Sequence, residues 1–216
     1  EKVDKIYPKI VKIRRQLHEN PELSQQEKET SALVCKVLDE SGISYQRGIA
    51  GYGVVARIGH GQKAVGIRAD MDALPIQEET GLSFASLHNS CMHACGHDAH
   101  TAMLLAALQI LYPHKEELSG EIRFLFQTAE ELAKGAAILI EEGALKGVDA
   151  IFGMHIGSIL DKSIPSGTMA CIPGAVMASY DRFILEVKGN GCHASTPEKG
   201  VDPINIAAHI ILALQT

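Results

Sequence analysis

Histidine and cysteine crowd into one short stretch of this chain. Four of its ten histidines, His88, His93, His97 and His100, lie there with Cys91 and Cys95 between them. Within the run His93-Ala-Cys95-Gly-His97-Asp98, Cys95 and His97 flank a glycine, the residue that lets a tight turn aim both at one point. Carboxylates and one further histidine stand apart in sequence: Asp70 and Asp72, Glu130 and Glu131, and His155. Together these types suit a divalent cation. Thiolate and imidazole favour zinc, and carboxylates widen the choice to manganese or cobalt. A neighbouring Glu pair supplies two functions, since one carboxylate can bind metal while the other takes a proton from water. Successive strand residues point to opposite faces, so spacing alone leaves open whether both glutamates reach one cleft.

Three plainer readings compete: a solvated histidine loop, a structural zinc knuckle through Cys91, His93, Cys95 and His97, and a Cys95 nucleophile paired with His97. The knuckle leaves the distant carboxylates without a purpose, and no second residue obviously orients His97 for a thiol mechanism. A glycine-rich turn, Gly189-Asn-Gly-Cys-His193-Ala-Ser-Thr-Pro197, presents one more histidine. Gly51-Tyr-Gly53 superficially resembles a dinucleotide loop, but a strand-like run follows it instead of the helix that phosphate binding needs.

The positioning elements follow from periodicity. Val3, Ile6, Ile10, Ile13 and Leu17 mark a first helix ending near Asn20-Pro21. A capping box, Ser24-Gln-Gln-Glu27, opens a second that closes at Gly42. Strand-like runs cover 53–58, 64–69, 121–126 and 150–154, with helices over 101–111 and 133–142. Such alternation predicts an α/β layer with a mostly parallel sheet. Asp70 and Asp72, Glu130 and Glu131, and His155 then each follow the carboxyl end of a strand, the edge where ligand sites collect in open parallel sheets. Further strands are expected over 167–172 and 182–187, and a helix opening at Asp202-Pro203. The change of pattern divides the chain into a domain over 1–177 and the beginning of a smaller α+β one over 178–216.

Composition is that of a globular chain: 216 residues, 46% hydrophobic, 21% charged, with net charge −6. The absence of a basic stripe argues against a nucleic-acid partner. The longest apolar run, Ala102 to Leu108, is too short to span a bilayer, and the charged opening residues do not read as a signal peptide. Five unevenly placed cysteines suggest thiols in a reducing compartment, the cytoplasm.

Five blocks in order carry a family resemblance: Arg14-Arg-Gln-Leu-His-Glu-Asn-Pro-Glu22, Arg68-Ala-Asp-Met-Asp-Ala-Leu-Pro75, Met92-His-Ala-Cys-Gly-His-Asp98, Phe126-Gln-Thr-Ala-Glu-Glu131 and Gly153-Met-His155. The chain resembles the aminoacylase–carboxypeptidase family of dinuclear metallohydrolases. Its branch is the one holding hippurate hydrolase, N-acetyldiaminopimelate deacetylase and the plant auxin-conjugate hydrolases. The resemblance implies a zinc-peptidase α/β catalytic domain with a lid. It makes Cys95, His97, Glu131 and His155 ligands to two divalent ions (zinc, manganese or cobalt). It makes Glu130 the general base, gives Asp72 a supporting role, and makes His193 an oxyanion-binding lid residue supplied across a dimer interface. Asp70 stands where sister branches carry histidine. Thr128, Ser90 and Cys192 replace a proline and two glycines of the usual pattern.

The implied reaction is hydrolysis of the amide bond of a small N-acyl amino acid by metal-activated water. Carboxypeptidase activity of the same family is the alternative, as is an inactive metal-binding fragment. The family chain continues past the position of Thr216 and brings a last ligand histidine there; the resemblance also implies a homodimer through the lid in the longer protein. His209, on the last helix, is not expected to substitute for that ligand.

Overall fold

A computed structural model describes residues 2–157, 164–171, 173–175, 178–179 and 181–215. The chain forms two compact units, one running to Ile164 and one starting at Pro165.

The first unit is an α/β layer. Helices α1 (Lys2–Glu19) and α2 (Lys28–Glu40) precede strands β1 (Tyr45–Ile49), β2 (Gly53–Ile58) and β3 (Ala64–Asp70). Helix α3 (His97–Leu111), strand β4 (Glu121–Gln127), helix α4 (Gly135–Glu141) and strand β5 (Ala150–Gly153) follow. The sheet order is β1-β2-β4-β3-β5. Strands β4, β3 and β5 run parallel, while β1–β2 and β2–β4 are antiparallel, so the sheet is mixed with its parallel half at the β5 side.

Alternation along the central strands explains their apolar sequences. Val54, Ala56 and Ile58 of β2 and Phe124 and Phe126 of β4 join one core with Ile13, Leu17, Val34, Leu38, Leu105 and Leu108 from α1, α2 and α3. Their in-between neighbours Val55 and Leu125 face a second cluster with Leu139 and Ala144. Where the sheet is covered on both faces, its strands carry continuous apolar stretches, 54–56 in β2 and 124–126 in β4. Strand β1 escaped the sequence reading because its centre is exposed and polar.

At the start of α2 the expected capping box does not form. Ser24 donates its hydroxyl elsewhere, to Asp72 Oδ2 at 2.6 Å, and Glu27 makes no side-chain cap. The Glu22 carboxylate takes that place, accepting the amides of Glu29 (3.0 Å) and Thr30 (2.8 Å). An acidic group at a helix start satisfies open N–H groups and favours the dipole. Helix α3 begins four residues earlier than periodicity suggested, at His97, because Gly96 takes the left-handed conformation (φ 83°) that turns the loop into the helix.

In the second unit, Asp202 caps α5 (Pro203–Ala213) by accepting the amides of Ile204 (2.9 Å) and Asn205 (3.3 Å). Residues 182–187 do not form the expected strand, nor do 167–171; Ile172 lies outside the described residues. A strand exists only by pairing, and no ladder partner faces 182–187 among the described residues; Phe183, Ile184 and Leu185 are exposed. No helix among the described residues is long and apolar enough to cross a membrane.

Candidate metal centre

Parallel pairing of β4, β3 and β5 brings three strand ends to one edge, with Asp70 opposite Gln127 and Arg68 opposite Gly153. The residues that follow these strands, together with the first turn of α3, converge on His97. This side chain is fully buried (0% exposed). Its Nδ1 lies 3.3 Å from Asp72 Oδ1. Its Nε2 lies 3.7 Å from Asp70, 3.8 Å from Glu130 and 3.8 Å from Glu131. Three donor sets share it, each with ligand atoms within 4.8 Å of one another: Cys95 with His97 and His155, Asp70 with His97 and His100, and His97 with Glu130 and Glu131.

These groups fit a divalent cation. His97 Nε2 and Glu131 Oε1 are buried without a hydrogen-bond partner in the protein, which is costly unless something else binds them. Imidazole, thiol and carboxylate are also the donor types such an ion takes.

The local charge points the same way. Burial lowers the affinity of His97 for a proton, but Asp72, Asp70 and Glu131 outweigh it and raise its pKa. Burial and the carboxylates around it, Glu131 foremost, push the Cys95 thiol up to about 12. A thiol held neutral by its neighbours is a weak nucleophile, which argues against the Cys95–His97 mechanism. A bound cation reverses that balance and takes the thiolate as ligand. Glu130 is raised above the ordinary carboxylate range by burial, with His97 opposing and Glu131 assisting.

How two adjacent glutamates reach one cleft is settled by Ala129. It adopts φ 51°, a left-handed conformation without glycine, and Ala133 does likewise at 53°. That turn breaks strand alternation, so Glu130 and Glu131 both face His97 Nε2.

A hydrogen-bonded chain, buried at Asp70 and His100 and exposed at His155, supports the β5 side. Arg68 binds Asp70 Oδ2 (2.6 Å), and His100 donates from Nδ1 to Asp70 Oδ1 (2.6 Å). Burial would raise Asp70, but these partners and His97 hold it at about 2. Nε2 of His100 then accepts the Ile156 amide (2.8 Å), and the Ile156 carbonyl accepts from His155 Nδ1. His100 and Asp70 were not assigned from sequence. The signal available was the three-residue step from His97 to His100, which puts both on one helix face.

The first sequence block also finds its place. Arg14 Nε and His18 Nδ1 bind Asp98 Oδ2 at 2.8 and 2.7 Å, tying α1 to the first turn of α3. Of the remaining candidate, His193 belongs to the second unit. It is exposed, and its Nδ1 accepts the Ser195 amide at 3.2 Å.

A model of peptidase family M20/M25/M40 matches residues 66–210. The chain is 47% identical to an N-acetyl-L-cysteine deacetylase of Bacillus subtilis over 209 residues, which is 96% of this chain and 49% of that protein. It is 45% identical to an IAA-amino acid hydrolase of Arabidopsis thaliana over 207 residues, 95% of this chain and 47% of that one. Among solved structures, a Bacillus subtilis protein described as a dinuclear metal-binding peptidase superposes with a TM-score of 0.70 at 45% identity, covering 73% of this chain and 45% of that chain. The chain thus spans about half the length of the curated relatives it matches.

Proposed function

This chain belongs to peptidase family M20/M25/M40, and from that premise we propose that the whole protein hydrolyses the amide bond of small N-acyl amino acids with two divalent metal ions. The observation that carries the reading is the buried His97 Nε2 facing Asp70, Glu130 and Glu131, with Cys95 and His155 close by.

In this reading Cys95, His97, Glu131 and His155 hold the ions, which are zinc, manganese or cobalt. When bound, such ions polarise the amide carbonyl and make water acidic enough to attack at neutral pH. Glu130 is not needed as a ligand. Its Oε2 faces the cleft, its side chain is 39% exposed, and its raised pKa suits a group that takes a proton from the attacking water and returns it to the leaving amine. Asp72 orients His97. His193 acts on the oxyanion: its Nδ1 accepts the Ser195 amide, which leaves Nε2 as the ring atom that donates.

Residues 1–177 are then the N-terminal part of the catalytic domain and 178–216 the beginning of a lid through which the longer protein forms a homodimer; the compact units themselves divide earlier, between Ile164 and Pro165. The free cysteines, Cys95 and Cys35 among them, fit a cytoplasmic location.

The test is chelation of the full-length protein and restoration with zinc, manganese or cobalt, assayed on N-acyl amino acids beside dipeptides. Deacylation lost on chelation and restored by metal supports the reading. Preference for dipeptides would move it to a carboxypeptidase or dipeptidase, and activity indifferent to chelation would contradict both.

A further inference from the structure

Glu27 has no role in the metal site as read so far. Its pattern is that of a capping-box residue, which would turn back on its own helix. Instead its side chain is fully buried (0% exposed), and Oε1 accepts the amide of Ala129, more than a hundred residues away, at 2.8 Å. A buried carboxylate is expensive to keep in an ordinary fold and invites a search for what it holds. Burial raises its pKa, and the Ala129 amide opposes that rise.

What it holds is the left-handed residue that aims both glutamates. L residues rarely adopt φ near 51° unless their surroundings impose it. On the other side of Glu130, the Glu131 amide donates to Asp72 Oδ2 at 3.0 Å. That same oxygen accepts the Ser24 hydroxyl at 2.6 Å. So the amides flanking Glu130 are each bound by a buried carboxylate, one belonging to the segment before α2 and the other anchored to it through Ser24.

We infer that Glu27 is a positioning residue that locks the Ala129–Glu131 turn and thereby the aim of Glu130 and Glu131. The consequence for catalysis rests on the proposed roles of those two glutamates; the locking of the turn does not. Glutamine keeps a carbonyl oxygen where Oε1 accepts, whereas leucine fills similar volume without an acceptor and spares the fold a buried charge.

The experiment compares Glu27→Gln and Glu27→Leu in the full-length protein. In the metal-free state, hydrogen–deuterium exchange of the peptide containing Ala129 should quicken roughly tenfold or more in Glu27→Leu, while other segments and Tm stay near wild type. At saturating metal, kcat should fall roughly tenfold to a hundredfold with KM little changed, the scale of a misplaced catalytic group. Glu27→Gln should resemble wild type in both. Unchanged exchange at the turn in Glu27→Leu overturns the inference, as does exchange quickened throughout the chain with a lower Tm. Failure of Glu27→Gln as severe as that of Glu27→Leu also overturns it, because the acceptor would then not be what matters. Local loosening with unchanged kcat leaves the turn locked by Glu27 but removes its catalytic purpose, which is a failure of the proposed roles of Glu130 and Glu131.

Discussion

At His97 one ring nitrogen faces Asp72 and the other faces three carboxylates across a gap of 3.7–3.8 Å. That spacing suits a cation lying between them, and the arrangement depends on neighbours that do not ligate. His100 is the clearest case, because its two nitrogens join Asp70 to the Ile156 backbone beside His155. His100→Ala should lower metal affinity roughly 10- to 100-fold, the usual effect of removing a group that orients a ligand, as read by titration calorimetry. Wild-type affinity would mean that His155 is held without it. The residue types of the site were legible in sequence, because clustered histidine and cysteine with strand-end carboxylates has few other uses. The convergence of Glu130 and Glu131 was not. It depends on the left-handed φ of Ala129, and alanine carries no sign of that conformation as glycine would.

Helices and strands place these residues through a few close approaches. Gly96 ends the Cys95 loop at φ 83° and starts α3, and a Cβ there would lie 2.6 Å from Ile156 Cδ1. Gly96→Ala therefore carries both a left-handed penalty and a clash with the residue after His155. It should lose about 1–2 kcal/mol of stability by thermal unfolding, from the backbone penalty alone, and bind metal more weakly. An unchanged Tm would contradict the left-handed strain at this position. The elements most readable from sequence were β2, β3 and β4, whose apolar stretches 54–56, 64–67 and 124–126 are mostly buried. The expected capping box failed because Ser24 and Glu27 are drawn into the site, where Asp72 and Ala129 compete for them. The strand expected over 182–187 failed for a different reason: alternation marks a face, and a ladder also needs a neighbour.

Across the first unit as a whole, the motif on α1 is tied to the motif on α3 by a buried polar cluster. Both ring nitrogens of His18 face carboxylates, Asp98 at 2.7 Å and Glu78 at 3.1 Å, with Arg14 also on Asp98 and the His93 ring 6.5 Å away. Asp98 raises the His18 pKa most; burial opposes and Glu78 assists. The folded state thus holds this proton more tightly than the unfolded chain does. Its stabilisation is fully present below the ordinary value of 6.5 and fades as pH rises through the higher folded value. His18→Gln should destabilise the protein by roughly 1–3 kcal/mol below that value, the worth of hydrogen bonds to charged groups, and by less well above it. Equal Tm losses at both pH values would show that His18 is held neutral. The central claim concerns the reaction centre, and one variant tests it most directly: Glu130→Gln in the full-length protein, with metal content and deacylation of an N-acetyl amino acid measured together. The account predicts wild-type metal content and turnover reduced roughly a hundredfold or more, the scale of general-base loss; near-wild-type turnover at full metal content would contradict it.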